Sequence, residues 1–247
     1  MKYKEDEETN KRRRRSRKMK GEILFYGDSL TYGMAHDCCD RYDTTWPRLL
    51  ENRLVSKGLR TIESALCSRT SCFDDEFNTW WMETAKPHYF NGLHHLGITI
   101  QSHTPNYLII LLGTNDLKHV VMKKSKARSA EAIARNVIKL AVEARRHRGV
   151  HGVSKDLQII VVSPPEIVFN KESKEMGYTR EGENVSKQFG NAFSVVCKEF
   201  GFPQISLSNL IDMKESFDGV HWTEKHNRIV AEHVWGHLEK IIDSKSL

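Results

Sequence analysis

The chain has no apolar run approaching the roughly 20 residues that a membrane-crossing helix needs. Its first 20 residues, MKYKEDEETNKRRRRSRKMK, hold no apolar segment either, so neither a membrane span nor a secretory signal is expected. No C-x-x-C pair occurs among the five cysteines, Cys38, Cys39, Cys67, Cys72 and Cys197. An odd set without an export signal reads as reduced thiols of a cytoplasmic protein. Cys38 and Cys39 alone make a poor metal site, because no second pair accompanies them. The net charge of +6 does not mark a basic fold: residues 1–20 contain ten Lys/Arg against four Asp/Glu, and the remaining 28 basic and 28 acidic residues cancel.

Apart from Met1 and Met19, residues 1–20 contain no aliphatic side chain, so they are expected to be a disordered tail. The 247-residue length then leaves one domain over residues 21–247. The run Lys11-Arg12-Arg13-Arg14-Arg15-Ser16-Arg17-Lys18 has three readings: a nuclear-localisation signal, a contact for nucleic acid or another anionic partner, or a solvated extension.

After the tail, short apolar runs alternate with helix-like stretches. Strands are predicted over 23–26, 61–66, 107–112, 157–162 and 204–207, and helices over 46–55, 126–147, 182–200 and 223–243. The run 107–112 is apolar throughout, as a central strand covered on both faces must be. In 126–147, Ile133, Val137, Leu140, Ala141 and Ala144 form one stripe, with Arg128, Arg135 and Lys139 outside it. Such alternation implies crossover connections and a mostly parallel sheet of about five strands, with ligands at the carboxyl ends of the strands. Residues 67–106 show no clear period and would shape a pocket or a homo-oligomer contact. His94 and His95 are adjacent and diverge, which argues against a shared metal.

The polar residues cluster where that rule demands. Gly27-Asp28-Ser29 follows the first strand, Ser68-Arg69-Thr70 the second and Gly113-Thr114-Asn115-Asp116 the third, while Asp218-Gly219-Val220-His221 precedes the last helix. Acyl transfer needs a hydroxyl nucleophile, a base, a carboxylate to orient that base, and donors for the oxyanion. Three residues apart in a turn, Asp218 can fold back on His221 Nδ1 and leave Nε2 facing Ser29. Asn115 offers a neutral amide donor. Each signal alone is weak, and blander readings exist. Ser29, Asn115 and Asp116 can be helix caps, His221 a surface histidine, Arg69 a loop anchor through carboxylate pairing, and the aromatics of 73–90 packing.

With Gly27-Asp28-Ser29-Leu30, Gly113-Thr114-Asn115-Asp116 and Asp218-Gly219-Val220-His221 in this order, residues 21–243 resemble the SGNH hydrolases, or GDSL esterases and lipases. "GDSLTYG", "ESALCSRTS" and "VVSPPEI" are similar to the arylesterase and acyltransferase branch. The resemblance implies a flavodoxin-like three-layer α/β/α fold and a serine esterase acting on a small-molecule ester without metal or organic cofactor. It implies Ser29 as nucleophile, His221 as general base and Asp218 as its carboxylate. The oxyanion donors would be the Ser29 and Ser68 backbone N–H groups and the Asn115 side chain. The family usually has glycine where Ser68 stands. Serine keeps the backbone donor, but a position needing positive φ would penalise it. Two other activities fit the same pattern: an O-deacetylase of acetylated sugars, and a non-catalytic binding protein that uses the basic tail.

Overall fold

A computed structural model describes residues 19–35, 40–75, 86–118 and 128–244. The basic run, the Cys38-Cys39 pair and the tryptophans Trp80 and Trp81 lie outside the described residues. Five strands, β1 (Gly21–Gly27), β2 (Leu59–Ala65), β3 (Tyr107–Leu111), β4 (Gln158–Ser163) and β5 (Gln204–Ser206), form one parallel sheet in the order β2-β1-β3-β4-β5. Around it lie α1 (Ser29–Tyr32), α2 (Trp46–Ser56), α3 (Gly92–His103), α4 (Ala130–Arg146), α5 (Lys171–Glu175), α6 (Arg180–Ser186), α7 (Phe189–Phe200) and α8 (Glu224–Asp243). This is the flavodoxin-like strand order.

Alternation along β1 makes the layers. Leu24 and Tyr26 join Leu96, Ile133, Val137 and Phe193 on the face covered by α3, α4 and α7. Ile23 and Phe25 join Trp46, Leu50, Val230 and Val234 on the face covered by α2 and α8. Every residue of β3 is buried, as its unbroken apolar run requires. The register pairs Gly27 with Ala65 on one side and with Leu111 on the other, so β1, β2 and β3 end level. Their following loops therefore share one rim.

Three elements depart from the sequence reading. The stretch 67–106 contains a twelve-residue helix, α3, capped by Asn91, whose side chain accepts from Leu93 N. Its buried side chains are few, Leu96 and Ile100 among them, which is too thin a stripe to show a period. The predicted helix 182–200 is two helices, α6 and α7, parted at Lys187 and Gln188; Gly182 in the first faces the Leu117 carbonyl and Gly190 in the second faces Ser208. The helix predicted over 126–147 begins at Ala130, where Ser129 caps it. Arg128 precedes it, half-buried, with its guanidinium over the Phe73 ring.

Candidate active site

The G-D-S turn is built by close approach. A Cβ on Gly27 would lie 2.0 Å from Thr31 Oγ1 and 3.1 Å from the Leu111 carbonyl, so only glycine lets β1 turn into α1 there. Asp28 caps α1, its Oδ1 accepting from Leu30 N at 3.0 Å. Ser29 is the first residue of that short helix and is 6% exposed.

From the far end of the chain, the loop before α8 reaches the same rim. Gly219 (φ 73°) accepts from Val168 N at 2.8 Å, which ties this loop to the segment after β4. His221 Nε2 lies 2.9 Å from Ser29 Oγ, and His221 Nδ1 lies 2.5 Å from Asp218 Oδ2. An ionised carboxylate only accepts, so the Nδ1 hydrogen points to Asp218 and Nε2 is left to accept from Ser29. The second carboxylate oxygen, Oδ1, accepts from His221 N (2.7 Å), Val220 N (2.8 Å) and Ser216 Oγ (3.1 Å). Burial pushes Asp218 up, but the His221 hydrogen bond and charge and these backbone donors outweigh it and hold the carboxyl well below the usual carboxylate range. The buried carboxylate is thereby kept ionised. A cleft of about 240 Å³ opens beside this pair, lined by Tyr42, Phe217, His221 and Trp222 among others.

The turn after β3 grips the turn after β2 residue by residue. Asn115 Nδ2 donates to the Arg69 carbonyl and to Asp28 Oδ2, both at 3.2 Å. Asp116 accepts from Ser71 N at 3.0 Å and from Ser71 Oγ at 2.5 Å. Lys118 Nζ donates to Ser68 Oγ and to Asp75 Oδ2, both at 3.3 Å. Tyr178, arriving from the segment before α6, donates to Asn115 Oδ1 at 3.3 Å and so fixes which end of the amide faces Asp28. Burial first, and then the carboxylates around it, raise the Tyr178 hydroxyl well above the ordinary phenol range, so it remains a neutral donor.

Two sequence expectations are corrected here. Asp116 is not a helix cap; both its oxygens bind Ser71. Arg69 does anchor its loop, but through the carbonyls of Gly27 and Ser64 and by stacking on Tyr26, not through a carboxylate. A wholly desolvated ion pair there would demand excellent geometry, whereas strand ends supply carbonyls at no extra burial. The histidine pair diverges: His94 lies near the His88 ring, and His95 Nε2 contacts the Tyr89 carbonyl. No group of three or more potential metal ligands occurs among the described residues. Ser71, Asp75, Lys118 and Tyr178 escape sequence reading, since support from outside a motif leaves no local pattern. The "DLK" continuation of the G-T-N-D turn was the only available signal.

Ser68 has φ 65°, in the left-handed region. The penalty foreseen for a serine at this position therefore applies.

No curated protein sequence matches the chain significantly. Among solved structures, a carbohydrate acetylesterase family member from Sinorhizobium meliloti is 22% identical, with a TM-score of 0.75 over 90% of this chain and 99% of that one. The native M. smegmatis aryl esterase is 25% identical, with a TM-score of 0.73 over 89% of this chain and 98% of that one. A lipase/acylhydrolase from Enterococcus faecalis is 14% identical, with a TM-score of 0.59 over 89% of this chain and 95% of that one. The family model GDSL-like Lipase/Acylhydrolase matches residues 23–234. That match begins within β1 and takes in the other four strands and all four rim loops, so the chain belongs to the GDSL-like lipase/acylhydrolase family and is a carboxylic ester hydrolase of the SGNH fold.

Proposed function

We propose that this hydrolase cleaves small carboxylic esters with short acyl chains, aryl esters among them, through an acyl-enzyme on Ser29. The observation that carries the reading is the unbroken relay from Asp218 through His221 to Ser29, at 2.5 Å and 2.9 Å. His221 takes the Ser29 proton as the oxygen attacks the ester carbonyl, then returns it to the departing alcohol. Water, activated by the same imidazole, attacks the acyl-enzyme and frees the acid and Ser29. Asp218 orients the ring and stabilises its charge.

The developing oxyanion meets three donors: the Ser29 backbone N–H, which begins α1 and has no preceding turn to serve, the Ser68 backbone N–H, and the Asn115 amide. Asn115 Nδ2 holds the Arg69 carbonyl and Asp28 Oδ2 at 3.2 Å, and one of those hydrogens would turn to the oxyanion as it forms. An alcohol replacing water at the second step would give acyl transfer as a side activity. The domain occupies residues 21–247, with 1–20 as an appended tail. Ser29 and His221 are the residues whose loss separates this reading from a binding protein. A fluorophosphonate probe is expected to label the wild type and not Ser29→Ala; an unlabelled wild type, or equal labelling of both, defeats it.

A second reading shares the chemistry and differs in substrate. The acetylesterase named among the solved structures acts, by that name, on acetylated carbohydrate, and the same short-acyl site would admit such esters. Side-by-side rates on p-nitrophenyl acetate and an O-acetylated sugar decide between the two.

A further inference from the structure

Ser68 combines two properties that conflict. Its backbone stands at φ 65°, which glycine adopts without penalty and serine does not. Its N–H is also one of the three donors of the reading above. Something must hold this residue in place, and its hydroxyl shows what does. Lys118 Nζ lies 3.3 Å from Ser68 Oγ, and the same ammonium is paired with Asp75 Oδ2 at 3.3 Å. Lys118 is 4% exposed and Asp75 fully buried, so the pair is sheltered from water and cannot swing freely. Burial lowers the affinity of the Lys118 amine for its proton, while the Asp75 charge and hydrogen bond favour the ammonium.

The chain position adds a second reason. Lys118 follows directly on the 3-10 turn Asn115–Leu117, with its backbone N–H bound to the Asn115 carbonyl. One short turn thus carries both the Asn115 amide and the cation that grips Ser68. We infer that Lys118, braced by Asp75, is a positioning residue. Its hydrogen bond to the Ser68 hydroxyl holds position 68 in the left-handed conformation, so that the 68 N–H and the Asn115 amide are presented to the same oxyanion. Lys118 does not touch substrate; it acts through Ser68. A chain with glycine at this position has no use for such a clamp, whereas this one does.

The inference rests on the esterase reading for its kinetic consequence, and its test separates the two. Ser68→Ala removes the hydroxyl but keeps the Cβ that disfavours positive φ. Ser68→Gly removes both. With p-nitrophenyl acetate, kcat is expected to fall about tenfold in Ser68→Ala, the size of one hydrogen bond to a charged group, with KM within about twofold. Ser68→Gly is expected to recover most of that loss. Lys118→Met should lose about tenfold in the wild-type background and less than about threefold on top of Ser68→Gly, a rescue that a merely structural lysine would not show.

Lys118→Met leaves Asp75 without its cation and can misfold, whereas the Ser68 pair leaves the Lys118–Asp75 ion pair intact and decides the matter alone. Equal kcat in Ser68→Ala and wild type overturns the inference, as does equal loss in the alanine and glycine variants. If the wild type neither turns over nor takes the fluorophosphonate label, the esterase reading fails. Crystal structures of wild type and Ser68→Ala then still test the clamp. Loss of the single left-handed conformer at position 68 in the variant supports it, and an unmoved φ near 65° overturns it.

Discussion

At the scale of single residues, the proposed relay divides into parts whose loss has different sizes. Asp218→Asn keeps the shape but offers His221 Nδ1 an amide that can itself donate, so the ring is free to take the wrong tautomer. Turnover of an aryl acetate is expected to drop roughly 10³–10⁴-fold, by analogy with the same change in serine proteases. On the proposed reading, Asn115→Ala removes one oxyanion donor and should lower kcat roughly 10²–10³-fold, with KM little changed. Its amide is held at both ends, by Tyr178 on the oxygen and by Asp28 and the Arg69 carbonyl on the nitrogen. Tyr178→Phe should accordingly show a smaller fall of the same kind, a few-fold in kcat, as expected for one neutral hydrogen bond. If steady-state kinetics find Asn115→Ala as fast as wild type, its amide serves only the loop contacts described above.

At the scale of elements, the loop before α8 must place Asp218 and His221 against a turn nearly two hundred residues earlier in the chain. Gly219 makes that possible. Its φ is 73°, and a Cβ there would lie 2.0 Å from the Val168 carbonyl. Gly219→Ala is therefore expected to move the loop and lower turnover by at least about 10²-fold, because a misplacement of about 1 Å has that effect on a positioned catalytic group. It should also depress the melting temperature. Ser129→Ala is the contrasting case. It removes the cap of α4, whose Oγ accepts from Ala132 N at 3.2 Å, and should lower stability by about 1 kcal/mol with turnover unchanged. Thermal melts and turnover measured on both variants distinguish damage to the site from damage to the fold.

What could be read from the sequence follows the same division. Strand ends and the D-x-x-H spacing are local, so Ser29, Asp218 and His221 stood out before any contact was known. The apolar runs gave all five strands to within a few residues. The grip of Asn115, Asp116 and Lys118 on Arg69, Ser71 and Ser68 is tertiary, joining turns over forty residues apart. Asp116 accordingly read as a cap and Lys118 as nothing in particular. Arg69 misled for a related reason: a guanidinium satisfied by carbonyls looks, in sequence, like one awaiting a carboxylate.

At the scale of the whole molecule, buried carboxylates at the rim link the site to stability, and they pull in opposite directions. Burial pushes Asp28 and Asp116 from 3.8 up to about 6, despite the donors each accepts from. Asp218 is held low instead. For a raised carboxyl, the folded state binds its proton more tightly than the unfolded chain. Its contribution to stability is fully present below about pH 4, is lost as pH rises through about 6, and is constant above. Asp218 contributes the reverse, present above about pH 4 and lost as acid protonates it. Asp116→Asn isolates the first effect, because an amide can still accept from Ser71 N with its oxygen and donate to Ser71 Oγ with its nitrogen. Between pH 4 and pH 7 the wild type is expected to lose on the order of 2–3 kcal/mol through this group, which is several degrees in melting temperature for a domain of this size. The variant loses none of it, so the difference in melting temperature between the two should shift in the variant's favour across that interval and stay level from pH 7 to pH 8. A difference that holds constant from pH 4 to pH 8 would mean that Asp116 keeps an ordinary carboxylate affinity for its proton, and that its contacts with Ser71 offset its burial completely.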